Sequence, residues 1–239
     1  MAKRQPKNQL PLDYSVRGDR VVLHLGPPES QVKADALFEE LVQGRWRVEP
    51  AGEVADISSA QDMIRQIGNK LPYPEIIKVA QLHQVDEDFV GFSAIYQQKG
   101  WVFLNARADI NERYYNACLL TASLGLYTSY TEPTSLATRA EYLVVEPLLS
   151  PDDVSSFFRE GITKLPPFLA ADIADFFKVP FPVVLKRALA LRTITEAQYQ
   201  TFLKVKPVRS AKPRELYIAK EGGVEDLEAH LFGEDDTDF

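Results

Sequence analysis

Three histidines, His24, His83 and His230, and one cysteine, Cys118, are the first candidates for metal binding or nucleophilic chemistry in the 239-residue chain. They lie far apart in sequence. None has a second histidine or cysteine at the spacing of a helical turn or of a Cys-x-x-Cys pair, so the pattern predicts no metal site and no cofactor. A nucleophilic Cys118 or Ser123 would need a base within reach, and the sequence sets none nearby, so a small side chain packed in a helix is the simpler expectation. Glu141 and Glu146 are candidate acids of a cleft, but they stand five apart, whereas neighbours on one helix face are three or four apart. That spacing suits salt bridges or capping.

Anion binding is the other chemistry on offer. Residues 178–220 carry ten Lys/Arg against Glu196 and Glu215, a block of net +8, inside a chain of net charge −7. Lys186 and Arg187, with Lys204, Lys206, Arg209, Lys212 and Arg214 behind them, could neutralise phosphates of a nucleic acid. Residues 221–239, EGGVEDLEAHLFGEDDTDF, carry eight acids and no Lys/Arg. Such a tail either stays solvated and screens its neighbour or folds back on the basic block and competes with an anionic partner.

A hydrophobic content of 45% suits a folded chain with a real core. A lone cysteine forms no internal disulfide, the start MAKRQPKNQLPLDYS lacks an apolar run, and no window approaches a membrane span. The expected compartment is the cytosol, with no membrane partner.

The elements that would position these residues follow from local signals. In YSVRGDRVVLHLG, Arg17-Gly18-Asp19 separates two β-rich runs and predicts a hairpin. Ser30 is placed to cap a helix with Ala36, Leu37, Leu41 and Val42 on one face, and GRWRVEPAG reads as a strand. SSAQDMIRQIGNKLPYPEIIKVAQLHQV reads as two helices split at Leu71-Pro72-Tyr73-Pro74. A second hairpin turns at Gln97-Gln98-Lys99-Gly100, a helix runs over 111–127, and another over 136–149. Ser150, Pro151 and Asp153 start a further helix. A helix to about Phe177, a break at Val179-Pro180-Phe181 and a helix opened by Pro182 then have helix-turn-helix order, an order that compact three-helix packing also produces.

The helix over 111–127 contains NACLLTASLGLY, twelve residues with no charge and no histidine. Taken in order, residues 57–200 resemble the ImmA/IrrE family of zinc-dependent metallopeptidases, bacterial and phage regulators that cut helix-turn-helix repressors. AQDMIRQIGNKLPYPEIIKVAQLHQV is similar to that family's leading helices, and GWVFLNARADINERYYNACLLTASLG to its strand, arginine and following helix. EYLVVEPLLSPDDV is similar to its Leu-Leu-Met-Pro segment, and ADIADFFKVPFPVVLKRALAL to its closing helical module, in which Arg187 matches a position commonly filled by arginine, so the resemblance implies a structural role there at least as much as a phosphate contact. In active members the helix carries His-Glu-x-x-His, two imidazoles on one face and a glutamate base. Aligned on Leu124-Gly125, the ligand positions fall on Ala122 and Leu126, the base on Ser123 and the third ligand on Thr138. None of these four side chains can do the family's chemistry.

The resemblance implies an α+β fold, a metallopeptidase-like helical core with a small β-sheet followed by a helix-turn-helix-like helical module. Residues 1–56 would form a strand and helix region, 57–150 the degenerate peptidase-like domain, 151–206 the helical module, and 207–239 a basic linker and acidic tail. It further implies a protein that is not an enzyme and acts by protein–protein interaction, binding a helix-turn-helix transcriptional regulator. Tyr114, Tyr115, Tyr127 and Tyr130 are candidates for the rim of a binding groove. Two other readings stand beside it: a DNA-binding regulator using the basic 168–220 segment, and an enzyme of unrelated chemistry.

Overall fold

The computed structural model describes residues 12–18, 20–26, 28–45, 49–50, 76–83, 85–86, 89–96, 99–127, 129, 132–157, 165 and 167–204. Within them the fold is α+β. The elements run β1 (Leu12–Arg17), β2 (Arg20–Leu25), α1 (Pro28–Val42), β3 (Glu49–Pro50), β4 (Ile76–Leu82), β5 (Gly91–Tyr96) and β6 (Lys99–Asn105). Helices α2 (Ile110–Leu126), α3 (Pro133–Leu148), α4 (Pro151–Phe157), α5 (Pro167–Phe177), α6 (Phe181–Ala190) and α7 (Glu196–Phe202) follow. None of the described helices is long and apolar enough to cross a membrane. The chain divides into two compact units, one ending at Leu148 but including Phe177–Pro180, the other comprising Leu149–Phe176 and the residues from Phe181 on.

The first unit is built on a six-stranded sheet of order β1-β2-β5-β6-β4-β3. Both expected hairpins are present: β1 pairs antiparallel with β2 across Arg17 and Arg20, and β5 with β6 across Tyr96 and Lys99. The two hairpins join through β2 and β5, with Leu23 opposite Ser93. A boundary at residue 56 therefore separates no compact unit, because strands on either side of it share one sheet. Gly91 makes the close approach of β5 to β6 possible. Its φ is +149°, and a Cβ there would stand 2.5 Å from the Phe103 carbonyl oxygen.

The second of the two helices expected between residues 58 and 85 is strand β4 instead. Ile76, Ile77 and Val79 are β-branched and stiff at χ1, which disfavours a helix, and β6 offers a parallel partner with Ala80 opposite Phe103. The first of the pair, the Leu71–Pro74 break, most of GRWRVEPAG and the acidic tail lie outside the described residues.

Because side chains alternate across a strand, the sheet has two apolar faces. One carries Val22, Phe92, Ala94, Phe103 and Ala80 and packs on Ala34 and Phe38 of α1. The other receives α2, which packs on β6, β5 and β2, with α3 on α2 and β1. Ser93 marks that second face by donating its hydroxyl to the Leu120 carbonyl of α2 at 3.2 Å.

Helix ends follow local capping chemistry. Asp109 caps α2 by accepting from the Asn111 N–H at 2.9 Å. Ser150 accepts from the Asp153 N–H at 3.0 Å, as the Ser-Pro-x-Asp pattern predicts. Helix α1 starts at Pro28 rather than at Ser30, which is buried inside its first turn. In the second unit Thr195 and Gln198 form a full capping box on α7. Helix α6 ends where Arg192 takes φ +60° and the Thr193 N–H reaches back to the Ala188 carbonyl at 2.9 Å. Phe157 meets Phe176 edge to face at 5.3 Å.

His24 lies opposite Asp13 on the α1 side of the sheet, fully buried and 6.0 Å from the Phe89 ring. Among the described residues neither ring nitrogen has a hydrogen-bond partner. Burial lowers its pKa to about 4, against the pull of Asp13 and Asp35. The unfolded chain takes up the proton more readily, so the stability contributed by neutral His24 is complete above pH 6.5 and lost as pH falls toward 4. About 3 kcal/mol is at stake at most. Urea midpoints between pH 7 and 4.5 should fall more steeply for the parent than for His24→Leu, and parallel curves would contradict this.

Candidate functional site

The positions that the ImmA/IrrE resemblance assigns to chemistry lie on α2 and α3. Helix α2 enters the core almost whole, with thirteen of its seventeen residues buried. At the two ligand positions Ala122 is 5% exposed and Leu126 3%, a methyl and an isobutyl group packed away from water. At the base position Ser123 is fully buried, and its hydroxyl donates to the Leu119 carbonyl at 2.7 Å. Thr121 does the same toward Ala117 at 2.7 Å. Both hydroxyls are thereby satisfied inside their own helix, so no base partner is needed to bury them.

Thr138, the third position, is not brought to them. It sits on the exposed side of α3 and donates to the Thr134 carbonyl at 2.8 Å, while the buried face of that helix is Leu136, Ala140 and Val144. The half-buried Glu141 adds to the forces raising the Tyr115 phenol, whose main cause is burial. Cys118, one turn further along α2, has its thiol pushed up to about 12 by burial, the reverse of what a thiolate nucleophile needs. Tyr114 and Tyr115 are core residues rather than a groove rim, Tyr127 is half-buried, and Tyr130 lies outside the described residues.

No protein-family model, curated protein or solved structure matches this chain. The ImmA/IrrE likeness rests on the order of its sequence segments. Among the described residues no three His, Cys, Asp or Glu side chains are grouped to hold a metal ion. His24 is in the core under α1, His83 is exposed just after β4, and His230 lies outside the described residues.

The basic candidates separate. Arg187 is 9% exposed, and its Nε donates to the Leu149 carbonyl at 2.8 Å, closing the end of one chain segment onto α6. A guanidinium held there ties α6 to the Leu149 carbonyl. Lys186 is half-buried and Lys204 exposed, while Lys206, Arg209, Lys212 and Arg214 lie outside the described residues. Arg187→Met keeps the apolar stem and removes the donor, so it should lower stability by about 1.5–3 kcal/mol, read from denaturant midpoints. A loss below a few tenths would show that the tie carries nothing.

Sequence reasoning passed over Asn105. Its amide donates to the Asp86 and Phe89 carbonyls at 3.0 and 2.8 Å, and its carbonyl accepts from the Arg107 N–H at 2.9 Å. This buried amide fastens the end of β6 just before α2 begins. An Asn followed by a turn at a strand end was the available signal.

Proposed function

We propose that this chain is a catalytically inactive relative of the ImmA/IrrE metallopeptidases that acts by holding a protein, a helix-turn-helix transcriptional regulator, without cutting it. The observation that carries the reading is the state of α2: Ala122, Ser123 and Leu126 form part of a closed hydrocarbon core. The succession of a strand ending at Asn105, the helix Ile110–Leu126 and the helix Pro133–Leu148 supports it, being the order the resemblance implies. What such a fold retains when its metal ligands are gone is recognition. Binding without cleavage would sequester the regulator or shield it from an active peptidase.

The test uses the full chain and purified helix-turn-helix repressors. Co-migration on a sizing column with an intact repressor, at micromolar concentrations and without added metal, is expected. Cleavage of the repressor, or failure to bind any of a broad panel, would refute the reading. The DNA-binding alternative predicts salt-sensitive binding to random duplex DNA, lost as salt is raised. The interior position of Arg187 weighs against it.

A further inference from the structure

Among the described residues strand β1 ends the sheet, and its sequence LDYSVR has an ordered division of labour. A two-residue hairpin connection closes on a hydrogen-bonded pair, here Arg17 and Arg20, so Ser15 and Asp13 also turn their backbone groups toward β2. The backbone groups of Tyr14 and Val16 consequently point along the outer edge. Two observations agree. The Tyr14 N–H is met by the Asp13 carboxylate at 2.8 Å rather than by β2, and Val16 is 56% exposed. Asp13, Ser15 and Arg17 share the α1 side, where Ser15 donates to Asp35 at 2.6 Å and Arg17 stands 3.4 Å from the same carboxylate. Tyr14 and Val16 share the opposite side.

An end strand is a template for another strand. The edge-pointing residues must face one another for the ladder to form, which leaves few registers for an antiparallel copy. Charge selects among them. With Ser15 opposite Ser15 of a second copy, Asp13 of each chain faces Arg17 of the other, and Tyr14 faces Val16, an aromatic and β-branched pair. A shift of two residues in either direction removes both charge pairs. We propose that β1 pairs with β1 of a second copy of this chain about a two-fold axis at Ser15, extending the sheet across both subunits. The Asp13 carboxylate, which accepts from the adjacent Tyr14 amide, gains a facing guanidinium, and the side chain of Arg17, 68% exposed, is placed to supply it. This inference stands independently of the regulator-binding reading.

Sedimentation of the full chain over a concentration series tests it. The parent should show a monomer–dimer equilibrium. Asp13→Arg and Arg17→Asp should each weaken the dimer at least about tenfold, because like charges then face each other. Mixing the two variants should restore it, since arginines on one chain meet aspartates on the other. Val16→Pro removes an outward N–H without touching the β2 ladder, so it should abolish the dimer in a protein that remains folded by circular dichroism. A parent that stays monomeric at every attainable concentration overturns the proposal. So does a dimer indifferent to Val16→Pro, or swapped variants that fail to recombine.

Discussion

Ser123→Glu should lower stability by more than about 4 kcal/mol at neutral pH, whereas Ser123→Ala should stay within about 1 kcal/mol of the parent. The asymmetry comes from the surroundings. Ser123 has no solvent exposure, and its hydroxyl is a donor to the Leu119 carbonyl. A carboxylate there can only accept, faces a carbonyl, and must either lose its hydration or take up a proton. Alanine removes a hydrogen bond that the helix does not require, because the same carbonyl belongs to the α2 ladder. Thermal melts at pH 7 read both outcomes. A folded, stable Ser123→Glu would mean that this position opens to water as a working base position would.

Phe92→Ala should cost about 3–5 kcal/mol, the largest loss expected from one truncation. The Phe92 ring is fully buried, stacked on Phe103 at 4.6 Å and touched at its edges by Phe38 and Phe89 at 6.4 and 6.3 Å. It joins α1 to the middle of the sheet, so the space it leaves has walls on every side that cannot collapse. Phe92→Leu should cost only about 1–2 kcal/mol by keeping most of the volume. Val32→Ala provides the contrast: at 72% exposed, its effect should be within about 0.5 kcal/mol. Denaturant midpoints with unchanged slopes would bear out the ranking, and a Phe92→Ala loss no larger than that of Val32→Ala would contradict it.

Legibility in the sequence tracks how local the determining interaction is. The hairpins at Gly18 and at Lys99, the start of α4 at Ser150 and the break between α5 and α6 each depend on residues within a few positions, and each is found where local signals place it. Strand β4 has a helix-like local pattern, but its fate is decided by β6, more than twenty residues away, which offers a parallel ladder that no local pattern announces. Union of the two hairpins across β2 and β5 is non-local in the same way, and it erased the expected boundary at residue 56.

The site shows the same division. That Ala122 and Leu126 would pack as core follows from their side chains, since neither has anything to offer a metal. That Thr138 would face solvent depends on the rotation of α3, which Leu136, Ala140 and Val144 set by filling the interface with the first unit's core. In the sequence Arg187 is open to both a phosphate contact and a structural role, while the Leu149 carbonyl that holds it is visible only in the fold. Burial of His24 with neither ring nitrogen hydrogen-bonded among the described residues is likewise a tertiary fact, since a polar residue in β2 would be expected on a wet face.

Inertness of the α2 surface is the claim on which the functional reading depends, and metal analysis of the full chain tests it most directly. Protein purified from zinc-supplied cells, dialysed without chelator and incubated with a helix-turn-helix repressor, should contain far less than one zinc per chain and leave the repressor whole. One zinc per chain, accompanied by a specific cut, would contradict it.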